Sequence, residues 1–194
     1  MVWLNKERNN YYDFLFTYLF TIKKKLFFYF LLDVWEMLES NKFDQVSTLL
    51  DGHPNIINSM RRGEDELTLM MHAATKHRKD CVEFLSKKPH DLSVVSKDGL
   101  NILHHICNAA KDEVALDMLM SLDQQQINKD LVNKQTDVKQ TALHYAARWN
   151  RHTLVGWLAE HGADRSLKNM FGKRAEDHDN CDEETKRLIK HGKK

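Results

Sequence analysis

Three stretches of the chain share one order of polar and apolar positions. They are Thr68-Leu69-Met70-Met71-His72-Ala73-Ala74, Asn101-Ile102-Leu103-His104-His105-Ile106-Cys107 and Thr141-Ala142-Leu143-His144-Tyr145-Ala146-Ala147. Each opens on Thr or Asn, whose side-chain oxygen suits the free N–H groups of a helix start. Each is followed by a polar gap and then an apolar cluster, Cys81 to Leu85, Ala115 to Met120 and Leu154 to Ala159. Within these clusters Val82 and Leu85, then Ala115, Met118 and Leu119, then Leu154, Trp157 and Leu158 recur at helical spacing. That spacing predicts one buried stripe on a second helix. The small pairs Ala73-Ala74 and Ala146-Ala147 predict a first helix that lies close to its neighbours.

The pattern has a period. Thr68 to Asn101 is 33 residues, and Thr141 to Arg174, two after Gly172, is 33 again. The middle interval, Asn101 to Thr141, is 40. One extra residue falls between Cys107 and Glu113, and six more follow Met120 around Gln124-Gln125-Gln126. Insertions confined to connections keep stacked helices in register. The connection from Ser121 to Lys139 is therefore expected to be longer and more mobile than its counterparts, a protruding loop with no apolar run to bury. Upstream, Met37-Leu38 and Val46 to Leu50 fit an atypical first unit with Trp35 at the histidine position. Downstream, Phe171-Gly172-Lys173-Arg174-Ala175 opens a unit whose second helix, Thr185 to His191, offers only Leu188 and Ile189 as apolar anchors. A polar outer face is what a terminal repeat needs.

This arrangement resembles the ankyrin repeat, with its period of 33 and its T-P-L-H-x-A signature. The best copy is Thr141 to Ala147 with Gly162-Ala163-Asp164 after it, departing only by Ala142 in place of proline. The copy at Asn101 keeps Asp98-Gly99 and Leu103-His104; the copy at Thr68 has Met71 where the histidine belongs, with His72 one residue late. The resemblance spans residues 33–194 and implies an all-α solenoid of stacked helix-turn-helix units with short β-turn fingers. Five units follow: caps at 33–62 and 169–194, and internal repeats at 63–95, 96–133 and 136–168, preceded by an extension at 1–32. The resemblance also implies that the signature threonine and histidine bond to each other and to neighbouring backbone. It further implies that fingers and first helices line a concave face that binds partner proteins. The exposed positions of those helices map to His72, Thr75 and Lys76; to His105, Asn108 and Ala109; and to Tyr145, Arg148 and Trp149. Tyr, Arg and Trp dominate interface hot spots, so Tyr145, Arg148 and Trp149 lead the candidates. Trp149 has a second reading, folded down as core on the following repeat.

Residues 11–22 and 26–32 are apolar runs split by Lys23, Lys24 and Lys25. Three central lysines at about 2.5–3.5 kcal/mol each defeat a single membrane span. No small-residue cleavage site follows, since the chain continues Asp33-Val34-Trp35-Glu36. The segment reads as a packed helix, an interfacial membrane contact or an extension without a selected role.

Composition narrows the function. Seven Gly and two Pro are few, against roughly fourteen and ten at average usage, which disfavours a turn-rich β fold. With 29 basic and 28 acidic side chains there is no basic surplus to displace counterions, so nucleic acid is not an expected partner. Three widely spaced cysteines imply no disulfide framework and fit a reducing, intracellular compartment, cytoplasmic or nuclear. No phosphate loop, G-x-S-x-G elbow or H-E-x-x-H pair occurs. His104, His105 and Cys107 are the densest metal-ligand types, but turn histidines and a small core thiol account for them better than a soft-metal site. Glu64-Asp65-Glu66 and Glu183-Glu184 read as solvated turn and cap faces rather than catalytic carboxylates. The expected function is a non-catalytic scaffold or adaptor that binds another protein, with no cofactor, metal or small-molecule substrate. The alternatives are a membrane-tethered ankyrin protein anchored through residues 11–32, and an enzyme without a recognisable site.

Overall fold

Thr68 holds extended backbone (φ −69°, ψ 167°), and its Oγ1 accepts from Met71 N at 3.3 Å, so the chain enters a helix at Leu69. Thr141 does the same before Ala142 (φ −102°, ψ 168°). A computed structural model describes residues 34–52, 56–59, 65–109 and 112–191 of the 194. The extension at 1–32, with its apolar runs, and Glu64 lie outside the described residues. No helix among the described residues is long and apolar enough to cross a membrane.

The chain separates into two compact units, residues 1–47 and 48–194. In the first, residues 34–39 are helical and Asn41 closes them in left-handed backbone (φ 58°), its N–H donating to the Leu38 carbonyl at 3.1 Å. Helix α1 (Phe43–Gly52) then leads on, followed by the single turn α2 (Ile56–Ser59). The rest of the second unit is helical pairs: α3 (Leu69–Thr75) with α4 (Lys79–Ser86), α5 (Ile102–Ala109) with α6 (Asp112–Ser121), and α8 (Ala142–Arg148) with α9 (His152–Glu160). A 3-10 turn (Ala175–Asp177) and α10 (Glu183–His191) make the last pair. Between α6 and α8 sits the short α7 (Lys129–Val132).

First helices pack in one row, α3 on α5, α5 on α8 and α8 on the 3-10 turn; second helices pack in another, α4 on α6, α6 on α9 and α9 on α10. The stripe residues Val82, Leu85, Ala115, Met118, Leu119, Leu154, Trp157 and Leu158 are all buried between the rows. Each fully buried Leu or Val contributes roughly 1.5–3 kcal/mol, and only neighbouring pairs together provide the cover. The α3–α4 and α8–α9 corners use one device. His77 and Asn150 take left-handed backbone (φ 58° and 51°) and donate to the Ala74 and Ala147 carbonyls.

Fingers join the pairs. Ser96, Thr136 and Asn169 donate backbone N–H to the carbonyls four residues on, Leu100, Gln140 and Lys173, at 2.8–2.9 Å. The tight turns put Gly99, Lys139 and Gly172 in left-handed backbone (φ 78°, 57° and 73°). Adjacent fingers then bond to one another. Lys97 N donates to the Asp65 carbonyl, Asp137 N to Asp98 and Met170 N to Val138, all within 3.1 Å. Among the described residues no strand forms beyond a bridge position at Leu67.

The expectation of a protruding polar loop after Met120 is corrected. Leu122, Leu131 and Val132 are buried, so the segment carries apolar anchors after all. Its amides do the rest. Gln126 Nε2 donates to the His90 carbonyl and its Oε1 accepts from Leu92 N, while Gln124 Nε2 closes on the Leu119 and Leu122 carbonyls. Asn133 Nδ2 donates to the Gly162 carbonyl and its Oδ1 accepts from Asp164 N at 2.7 Å. The glutamines read as solvated because side-chain amides that replace backbone partners look the same in sequence as solvated ones.

Candidate functional site

The signature side chains form struts between a helix start and the next finger. Thr141 Oγ1 lies 2.9 Å from His144 Nδ1, and His144 Nε2 reaches the Lys173 carbonyl at 3.2 Å. The threonine hydroxyl donates to Nδ1, leaving the ring's one N–H for that carbonyl. His104 is held between Asn101 and the next finger in the same way, but with a backbone donor: its Nδ1 accepts from the Asn101 N–H at 3.1 Å and its Nε2 donates to the Gln140 carbonyl at 3.3 Å. Burial is the main reason its pKa falls from the ordinary 6.5 to about 4, so the ring is neutral. Asn101 departs from threonine with a reason: its Nδ2 donates to the Leu131 carbonyl at 2.8 Å, tying the inserted α7 to the helix start. Both histidines are thus engaged at both nitrogens, and burial pushes the Cys107 thiol up to about 12. A thiol held that strongly protonated is a core group rather than a metal ligand.

The exposed side of the first helices carries the surface candidates. Trp149 caps α8 and is 48% exposed, which settles its orientation toward solvent rather than core. Its Nε1 donates to Asn108 Oδ1 on α5 at 3.1 Å, and the Arg148 guanidinium stands 5.3 Å from its ring centre. Tyr145 is half-buried, edge-on to His104 at 5.7 Å. Burial raises its phenol pKa, with Arg148 and Asp98 as the nearby charges. Asn108, Tyr145, Arg148 and Trp149 therefore form one group across two repeats. His72 and Thr75 are half-buried and Lys76 is exposed at the end of α3, one repeat away from that group. The side chain of Ala109 lies outside the described residues.

His105 is a correction. Expected at the surface, it is 8% exposed, and its Nε2 has no partner among the described residues. Helix α5 is packed by α3 on one side and α8 on the other. The Asp65 carboxylate in the preceding finger is close enough to oppose the burial that lowers the ring's pKa to about 4. A middle repeat is flanked on both sides, and periodicity alone shows only which way a residue points.

A family model described as ankyrin repeats, three copies, matches residues 69–169, more than half of the chain. The chain belongs to the ankyrin-repeat family. Ankyrin repeats are in general protein–protein interaction modules. The sequence reading missed one feature of these ankyrin fingers, the large apolar side chains at their tips: Val138, Met170 and Phe171 are all exposed. The signal was present, since an aromatic directly before the turn glycine Gly172 has no helix stripe to join. Elsewhere the polar clusters are engaged structurally. Glu183 and Glu184 pair with Lys186 and Arg187 along α10, and Asp65 and Glu66 are exposed at a finger turn. A cleft of about 340 Å³ lies where the insertion folds back, lined by Asp91, Ser93, Gln126, Asp130 and Lys134. The Asp91 carboxylate there is already bonded to Ser93 N and Oγ. No group of three or more His, Cys, Asp or Glu among the described residues is placed to hold a metal ion.

Proposed function

We propose that this chain is a non-catalytic scaffold or adaptor that holds a partner protein on the face made by its fingers and first helices. The observation that carries the reading is Trp149. A half-exposed indole fixed by a hydrogen bond to the neighbouring repeat and backed by Arg148 is a preorganised anchor of the kind that dominates protein interfaces. Tyr145 and Asn108 extend it, and His72 and Lys76 offer a secondary contact at the next repeat but one. Three buried free thiols support an intracellular, reducing setting.

The test is capture of the partner from the native source on immobilised full chain. Arg148→Ala and Trp149→Ala are each expected to weaken capture, by about thirtyfold for a true hot spot, with little change in the thermal midpoint. A partner retained equally by wild type and both variants contradicts the reading.

A further inference from the structure

The finger ladder ends in an open rung. Lys97 N donates to Asp65 O, Asp137 N to Asp98 O and Met170 N to Val138 O, always from the second finger residue to the third residue of the finger before. The next acceptor in this register is the Phe171 carbonyl, and nothing among the described residues donates to it. Phe171 is 73% exposed, Met170 56% and Val138 40%, large apolar side chains grouped on the last two bonded fingers. They are held in place. Asn169 Oδ1 accepts from both Phe171 N and Lys173 N, so the tip is an ordered turn.

Charge around these fingers has a sign. Lys173 is paired with Asp179, and Arg174 with Glu176 and Asp177. Lys139, Lys168 and Arg148 have no ion-pair partner among the described residues; the Asp137 carboxylate on these fingers and Asp98 on the finger before are likewise unpaired, so cations are in modest excess. Arg148 belongs to the same neighbourhood. After burial, its charge is the main influence lowering the His178 pKa, and Lys173 of the last finger adds to it.

We propose that the last two fingers capture an extended acidic segment of the partner that carries bulky apolar side chains. One backbone N–H of the segment donates to the Phe171 carbonyl and continues the ladder, the mode by which extended peptides add to an open edge. Its apolar side chains cover Phe171, Met170 and Val138, and its carboxylates meet Lys139, Lys168 and Arg148. This rests on the adaptor reading and narrows it to the chemistry of the partner.

The experiment is selection of a random peptide library displayed on phage against the full chain. Enriched peptides are expected to interleave Asp or Glu with Leu, Ile, Phe or Trp. Phe171→Ser should lower their affinity about tenfold or more without moving the thermal midpoint, because the side chain it removes is exposed. Lys139→Glu combined with Lys168→Glu should abolish the preference for acidic peptides. No enrichment, enrichment of basic peptides, or affinity indifferent to Phe171→Ser overturns the proposal. So does sedimentation showing that wild type self-associates while Phe171→Ser is monomeric, since a second copy would then occupy the rung. A native partner lost with Trp149→Ala but unaffected by Phe171→Ser would leave the adaptor reading standing and remove this one alone.

Discussion

The repeat that begins at Thr141 and the repeat that begins at Thr68 have the same backbone but not the same strut. In the first, His144 joins Thr141 to the Lys173 carbonyl of the next finger. In the second, Met71 stands in that place, buried to 2% exposure, and only its backbone N–H bonds Thr68. The α3–α4 pair nonetheless packs as α8–α9 does, with a left-handed corner at the matching residue. The apolar stripe and the small first-helix residues therefore specify the pair, and the histidine fastens the next finger. An apolar side chain of similar bulk fills the same hole without reaching the carbonyl.

The largest effect should be blind to the strut. Leu85→Ala in α4 and Leu154→Ala in α9 both truncate fully buried stripe residues. Each should cost about 2–5 kcal/mol in denaturant unfolding. A cost in α4 far below that in α9 would show that the two stripes are not equivalent.

Acid sharpens the contrast. Burial holds His104 and His105 near pKa about 4 and lowers His144, against an ordinary value of 6.5 in the unfolded chain. The unfolded state therefore binds more protons below pH 6.5. Stability is complete above that pH and falls as pH drops toward about 4, by about 3 kcal/mol for a group as buried as His104. Hydrogen exchange in acid should open fingers 136–140 and 169–173, which lie over His104 and His144, the buried rings that must take up charge, ahead of 96–100, whose counterpart is the uncharged Met71. Uniform opening would contradict it.

Exchanging the struts gives a smaller change. His144→Met should cost about 1–2 kcal/mol and speed exchange at Asn169, and Met71→His should gain about 0.5–1.5 kcal/mol if its ring meets the Leu100 carbonyl. Smaller still is Lys139→Gly. Lys139 occupies the left-handed turn position that Gly99 and Gly172 fill in the neighbouring fingers. Relief of that strain, less the entropy of glycine, should stabilise by about 0.5 kcal/mol in thermal melts.

What was legible follows from these causes. Helix starts, stripes and finger glycines depend on local rules that repeat every 33 residues, so Thr141, Leu154 and Gly172 declared their places. Trp149 could be placed at the mouth of a corner but not oriented, because its hydrogen-bond partner Asn108 is 41 residues away. His105 was misread for the same kind of reason: its cover comes from α3, α8 and the preceding finger. The insertion was misread because Gln126 and Asn133 take their order from partners in the neighbouring repeats, and Leu131 from Asn101, thirty residues back at the helix start of its own repeat. Phe171 was missed although an aromatic directly before a turn glycine is a local signal; its exposure and the open carbonyl beside it emerge only when the fingers are aligned.

The central claim is that the stripe builds the fold while the finger-facing aromatics are left free for a partner. Thermal unfolding of Trp149→Ala beside Trp157→Ala tests it most directly. Trp157 is 4% exposed and stacked on His161 at 3.8 Å, so its truncation should cost about 3–5 kcal/mol and lower the midpoint sharply. Trp149→Ala should stay within about 1 kcal/mol of wild type, the value of one exposed hydrogen bond. If Trp149→Ala destabilises the chain as much as Trp157→Ala does, the indole is structural and the account of the binding face fails.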